Sequence, residues 1–134
     1  MLAEGQVTQE ATSVSCHQSI AGDGAFSLSM IAKFRGPVER SPFLYRHLFW
    51  ETGMIGQVLY LEAEAHGIRS TGIGCFFDDP VHDVMGLKDN EFQSLYHFTV
   101  GGPVEDGRLQ TWPAYFHLKE GGTAETPEMK FDEP

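Results

Sequence analysis

Leu44-Tyr-Arg-His-Leu-Phe-Trp-Glu-Thr-Gly-Met-Ile-Gly-Gln-Val-Leu-Tyr-Leu-Glu-Ala-Glu-Ala-His-Gly-Ile-Arg-Ser-Thr-Gly-Ile-Gly-Cys-Phe-Phe77 is the stretch whose reading decides the fold. Good helix formers dominate its first part, no proline interrupts it, and Gly67 follows the last periodic residue. The pattern predicts a helix of about 20 residues closed by a glycine. Apolar side chains (Leu44, Leu48, Phe49, Trp50, Met54, Ile55, Val58, Leu59, Leu61, Ala63, Ala65) fall on nearly every face, so the helix is expected to be covered on most sides. Gly53 and Gly56 inside it each cost about 1 kcal/mol relative to alanine, which predicts the close approach of another element. Beyond the helix, Gly72-Ile73-Gly74 reads as a tight loop. Glycine there permits positive φ and lets a flat ligand reach bare backbone N–H groups. A simple turn explains the loop equally well.

Working outward, Ser41-Pro42 prepares this helix, with Ser41 as cap and Pro42 at the first helical position. Upstream, Phe26, Leu28, Met30, Ala32 and Phe34 alternate with Ser27, Ser29 and Lys33, the period of a strand, and Ile31 on the polar side predicts a sheet partly covered on both faces. Gly36-Pro37 is expected to end it. A short helix is expected around Ser13 to Ala21, before the turn Gly22-Asp-Gly24. Downstream, Asp79 as cap, Pro80 at the first helical position and Gly86 just past the end predict a helix of about two turns. Phe92 to Val100 reads as a second strand with Phe92, Tyr96, Phe98 and Val100 on one face, stopped by Gly101-Gly-Pro103. Residues 1–118 are expected to form the domain, and 119–134 a disordered tail. Two strands do not make a stable sheet alone, so strands from elsewhere or a second copy are expected.

The chain has 134 residues, one domain's worth, and is 41% hydrophobic with a net charge of −10. Its 9 basic residues, against 19 acidic ones, are scattered and offer no patch for phosphates, so nucleic-acid binding is not expected. No apolar run spans a bilayer, so no membrane role is expected. Two cysteines, Cys16 and Cys75, are too few for a disulfide framework, and the N-terminus lacks a signal-peptide pattern. A reducing, cytoplasmic setting follows as the expectation.

Candidate sites each have a plainer explanation. Asp78, Asp79, His82 and Asp83 resemble a metal cluster, yet carboxylates at a helix start are accounted for by capping and the macrodipole. His17, His47, His66, His97 and His117 share no ligand spacing and read as surface or hydrogen-bonded histidines. Cys75 has neither a base nor cations beside it in sequence, so a small loop residue fits better than a nucleophile. The glycine loop is not a dinucleotide fingerprint, since it follows a helix and lacks Gly-x-Gly-x-x-Gly spacing.

The order of motifs says more. Gly53-Met-Ile-Gly-Gln-Val-Leu-Tyr-Leu-Glu-Ala-Glu-Ala-His-Gly-Ile68, then Ser70-Thr-Gly-Ile-Gly-Cys-Phe76, Val81-His-Asp-Val-Met-Gly-Leu87, a strand and Val100-Gly101 resemble the C-terminal half of the FMN-dependent nitroreductase family. Gly-Ile-Gly-x-Phe followed by Asp-Asp looks most like the SagB-type dehydrogenases, which oxidise thiazolines and oxazolines in peptides. The resemblance covers about Ser13 to Tyr115. It implies an α+β fold, an antiparallel-rich sheet against a long buried helix, that is incomplete without a partner or an N-terminal half. It also implies an FMN cofactor, with Gly72, Ile73, Gly74 and Cys75 at the ring, the Gly74 N–H on flavin N5, and Phe76 and Phe77 lining a pocket for a small-molecule or peptide substrate. The flavin would carry hydride, and the protein would position it.

Two departures from the family stand out. The basic Arg-Ser-x-Arg type segment that holds the flavin phosphate has no counterpart in Met1 to Gly24, which contains no arginine. Where many members carry basic residues near the C-terminus, this chain has Thr111-Trp-Pro-Ala-Tyr-Phe116, with Arg108 the nearest cation. The resulting expectation is an FMN-dependent oxidoreductase domain acting as a homodimer or with a partner chain that supplies the missing half. The rival is a flavin-free remnant or subunit packed against such a partner.

Overall fold

A computed structural model describes Gly5, residues 7–110, Trp112, Tyr115 and Leu118, and the expected tail lies outside the described residues. The chain divides into two units, Met1–Pro103 and Val104–Pro134. In the first, chain order is α1 (Thr8–Val14), α2 (Ile20–Asp23), β1 (Phe26–Lys33), α3 (Arg35–Arg40), α4 (Leu44–Ala65), β2 (Arg69–Ile73), α5 (Asp78–Met85) and β3 (Phe92–Gly101). The strands form one antiparallel sheet in the order β1-β3-β2. The third strand, β2, is the segment expected to be a glycine loop. Gly72 and Ile73 pair there with Phe98 and His97, because a short polar run next to a central strand can complete its ladder whatever its own propensity.

The long helix runs 22 residues, about 33 Å at 1.5 Å per residue. It starts at Leu44, after a turn in which the Leu44 and Tyr45 N–H groups donate to the Ser41 and Pro42 carbonyls, so Ser41 does not cap it directly. Its end is a Schellman motif: Gly67 takes φ +69°, Gly67 N–H donates to Glu64 O, and Ile68 N–H to Ala63 O. Gly86 closes α5 the same way at φ +67°, with Leu87 N–H on His82 O. That helix begins at Asp78 with Phe77 as N-cap, two residues earlier than Asp79 and Pro80 predict. Strand β1 ends at Lys33, ahead of the expected Gly36-Pro37 stop, and Pro37 does not interrupt the helix that follows. It sits inside α3, where the first turn needs no N–H from it.

Helix α4 packs on β2 and β3, while α1, α2 and α5 cover the other face of the sheet. Two glycines on different elements make a slot for one ring. A Cβ on Gly56 of α4 would lie 2.9 Å from Tyr96 Cε1, and one on Gly72 of β2 would lie 1.7 Å from Tyr96 Oη. Gly56 therefore has the close neighbour its cost implies; Gly53 meets nothing. The α4 residues buried on the sheet are small, Thr52, Gly56 and Ala63. Its large residues point away: Trp50, Met54, Val58 and Leu61 are 55%, 63%, 56% and 60% exposed. The helix is thus not buried on most sides. Its all-round apolar character exceeds what this chain uses to cover it.

Two further differences arise from backbone geometry. Partners jump from Met30–Tyr96 to Ile31–Ser94, so Leu95 is an extra residue in β3. The bulge puts Ser94 on the His97 side, where its Oγ meets His97 Nε2 at 3.0 Å. The simple alternation that placed Phe92 beside Tyr96 fails across this bulge. The helix expected over Ser13 to Ala21 is instead the end of α1, a turn and the start of α2, with Cys16 at φ 55° and His17 at φ 58°. Left-handed backbone costs a non-glycine residue roughly 1–2 kcal/mol, so something must hold this turn. Part of the answer is covalent: Cys16 and Cys75 form a disulfide. The expectation of unpaired thiols fails because fold topology brings together two residues 59 apart in sequence.

Candidate functional site

The segment singled out by sequence, Gly72 to Phe77, leaves the sheet at the end of β2 and enters α5. Gly72 is held on both sides of its backbone, its N–H donating to Tyr60 Oη at 2.7 Å. Its lack of a side chain serves Tyr96. Burial raises the Tyr96 pKa, with charge and hydrogen-bond coupling to Tyr60 adding to it, so Tyr96 stays a neutral hydrogen-bonding group at physiological pH. Ile73 is buried, 3% exposed, and lines a cavity. Gly74 is different. It is exposed, an added Cβ would meet nothing within 4 Å, and no hydrogen bond among the described residues uses its N–H.

Cys75 follows on the exposed loop and is bonded to Cys16, which corrects its reading as a small unlinked loop residue. Its carbonyl accepts from Gln18 Nε2 at 3.2 Å, and Phe77 N–H donates to Val14 O at 2.8 Å. The loop is therefore pinned to the turn after α1 by one covalent and two hydrogen bonds. Phe76 and Phe77 part company. Phe76 stacks on the His97 ring at 4.3 Å and 4°, facing into the fold. Phe77 is 42% exposed and meets the His17 ring edge-on at 5.6 Å.

His97 is a residue whose importance the sequence did not reveal. It is 6% exposed, with Ser15 Oγ 3.3 Å from Nδ1 and Ser94 Oγ 3.0 Å from Nε2, and Ser94 is joined in turn to Ser29 at 2.6 Å. Burial lowers its pKa from the ordinary 6.5, the Asp78 carboxylate opposing, so the ring is neutral at pH 7. The signal for it, alternating hydroxyls on β1 and β3, looked like the solvent face of a strand. These groups border an apolar cavity of about 280 Å³ walled by α1, β1, Ile73 and the end of α5.

No group of His, Cys, Asp and Glu among the described residues has the arrangement of a metal site. Asp78 accepts from Gln93 Nε2. Two cations beside the sheet are paired, Arg69 with Glu64 at 2.9 Å and Arg35 with Asp89 at 3.8 Å, while Lys33 at the end of β1 has no ion pair among the described residues. In the second unit, Arg108 is held by both Asp106 carboxylate oxygens, which depresses the Asp106 pKa and raises that of Arg108. A phosphate would find it already neutralised. The Gly74 backbone thus leaves open space beside it, and Arg108 is not free to meet a phosphate.

The class defined by this architecture is an α+β domain in which a small antiparallel sheet lies between one long helix and a layer of short ones. The chain belongs to the nitroreductase family, whose family model matches residues 3–102. Among solved structures, a protein of Anabaena variabilis assigned as a nitroreductase is similar, with TM-score 0.71 and 27% identity over 78% of this chain and 21% of that one. Nitroreductase A of Vibrio parahaemolyticus superposes with TM-score 0.65 at 18% identity, over 90% of this chain and 55% of its own. The NADPH:FMN oxidoreductase of Vibrio harveyi, solved with NAD+, gives TM-score 0.65 and 18% identity over 90% and 56%. The chain spans about a fifth of the first and little more than half of the other two. No protein of curated function matches it significantly. No described helix is long and apolar enough to cross a membrane.

Proposed function

We propose that this chain is the ring-contacting part of an FMN-dependent oxidoreductase, of SagB-type dehydrogenase character, corresponding to the C-terminal half of a nitroreductase domain. The observation that carries the reading is Gly74: exposed, with an unused N–H and open space where a side chain would stand. Neither a positive φ nor a steric clash requires glycine at this position, and its bare backbone leaves the approach to the N–H clear. When bound, flavin supplies hydride acceptance and delivery at N5. The chain's share is to hold the Gly74 N–H toward that nitrogen, with Ile73 behind it in the sheet and Cys75 fixing the loop beyond. Phe77, exposed beside the loop, borders the space for a small-molecule or peptide substrate.

Among the described cations Arg35, Arg69 and Arg108 are paired with carboxylates and Arg46 lies over the Phe43 ring, so the charge for the flavin phosphate falls to Lys33, Arg40 or Lys88, which carry no ion pair among the described residues, or to a second chain. The exposed apolar stripe of α4 supports association through that helix, with a second copy or a partner chain that brings the missing donors. The pairing of Arg35, Arg69 and Arg108 with carboxylates also favours a second reading, a flavin-free subunit packed against a partner. Titrating the purified chain with FMN while recording the visible absorption and flavin fluorescence separates the two. A perturbed, saturable flavin spectrum supports the first reading, and no change at any concentration leaves the second.

A further inference from the structure

The turn between α1 and α2 stands in a conformation that its own residues disfavour. Cys16 and His17 are consecutive non-glycine residues in the left-handed region, at φ 55° and 58°. Such a turn persists only where its surroundings over-determine it. Here the surroundings are Ser15 Oγ on His97, Gln18 Nε2 shared between Ser15 O and Cys75 O, and the Cys16–Cys75 disulfide. The disulfide is the constraint that chemistry can remove without unfolding the sheet. Cys75 lies on the exposed loop, open to an incoming thiolate, while Cys16 is half-buried behind it. Exposed disulfides are the ones open to exchange with soluble thiols.

We propose that Cys16–Cys75 is a thiol–disulfide exchange site that takes low-molecular-weight thiols of the glutathione class, and that its reduction unclasps residues 15–18 from the loop 74–77. The thiolate of one reductant molecule attacks Cys75 Sγ, forming a mixed disulfide and releasing Cys16 as thiolate, which takes up a proton. A second reductant thiolate attacks the reductant-side sulfur of the mixed disulfide and releases Cys75, which is protonated in turn. Two thiols are oxidised to one disulfide, and the protein disulfide is reduced to two thiols. The remaining ties are hydrogen bonds, the buried Ser15 Oγ–His97 contact and the two from Gln18 Nε2, and the strained pair relaxes once the cross-link is gone. Helix α1, which with its N-cap Val7 supplies Glu10, Ala11 and Val14 to one wall of the 280 Å³ cavity, is the element set loose. The switch therefore governs access to the cavity that His97 borders. It goes beyond the flavin reading and depends on none of it.

The test is an equilibrium titration of the full chain in mixtures of reduced and oxidised glutathione, with thiol alkylation read by mass and amide hydrogen exchange read by segment. The expected result is reversible conversion in excess reduced glutathione. Exchange at 14–18 and 74–77 should rise on the order of tenfold or more, while the β3 amides keep their protection. Cys16→Ser and Cys75→Ser chains should show the fast exchange without reductant and no response to glutathione; if either fails to fold, the unmodified chain decides alone. A disulfide that resists excess reduced glutathione until denaturant is added would overturn the proposal. So would equal protection in both redox forms, or loss of β3 protection on reduction, each of which marks a structural staple.

Discussion

At the scale of single residues, two glycines two positions apart do different work. Gly72 leaves room for the Tyr96 ring, which Gly56 bounds on the other side. Gly72→Ala should therefore destabilise the fold by about 1–3 kcal/mol through overpacking, measured as a lowered urea midpoint with unchanged slope. A Cβ at Gly74 meets no neighbour and the residue is exposed, so the stability of Gly74→Val should stay within about 0.5 kcal/mol of the parent. The same variant should weaken FMN binding or shift the flavin potential; an unchanged flavin titration would leave Gly74 without a role at the ring. His97 adds a pH dependence. Its folded pKa lies below the ordinary 6.5, so the unfolded chain binds the extra proton first as pH falls. Stability from this residue is complete above about pH 6.5 and is lost as pH drops toward the depressed folded value. His97→Gln should flatten that part of the pH profile in urea unfolding measured between neutral and mildly acidic pH.

At the scale of elements, α4 has two unlike faces. Thr52, Gly56 and Ala63 let the sheet approach, while Trp50, Met54, Val58 and Leu61 follow helical spacing on the side away from it. Sequence reading found the helix and its glycine stop, because periodicity and the left-handed requirement at Gly67 are local properties. It overestimated the covering, because apolarity alone does not say which neighbour does the covering. Val58→Glu should convert an associating chain to a monomer in sedimentation velocity, with the monomer's own stability changed by less than about 0.5 kcal/mol. A parent chain that already sediments as a monomer would rule out association through this face. Strand β2 was missed for the opposite reason. Arg-Ser-Thr-Gly-Ile has little strand character of its own and becomes a strand by pairing with β3.

At the scale of the whole molecule, the Cys16–Cys75 bond ties the N-terminal layer to the far edge of the sheet across 59 residues of chain. Loop-closure entropy for that span corresponds to about 4 kcal/mol at most. This is less than the roughly 5–15 kcal/mol stability of an ordinary domain. Reduced protein should therefore remain folded with its unfolding free energy lowered by no more than that amount, and urea denaturation curves with and without reductant check it.

What the amino-acid sequence determined by itself was β1, α4, α5 and β3, the glycine caps, and the motif order that pointed to the nitroreductase family. Each depends on residues close together along the chain, where hydrophobic period and backbone freedom act. Only the tertiary structure decided that Gly72 serves a tyrosine, that a bulge at Leu95 turns Ser94 toward His97, that Cys75 has a covalent partner, and that Gly74 stands clear. Those are facts about groups distant in sequence. No local pattern encodes them, because packing and pairing across the sheet set which atoms meet.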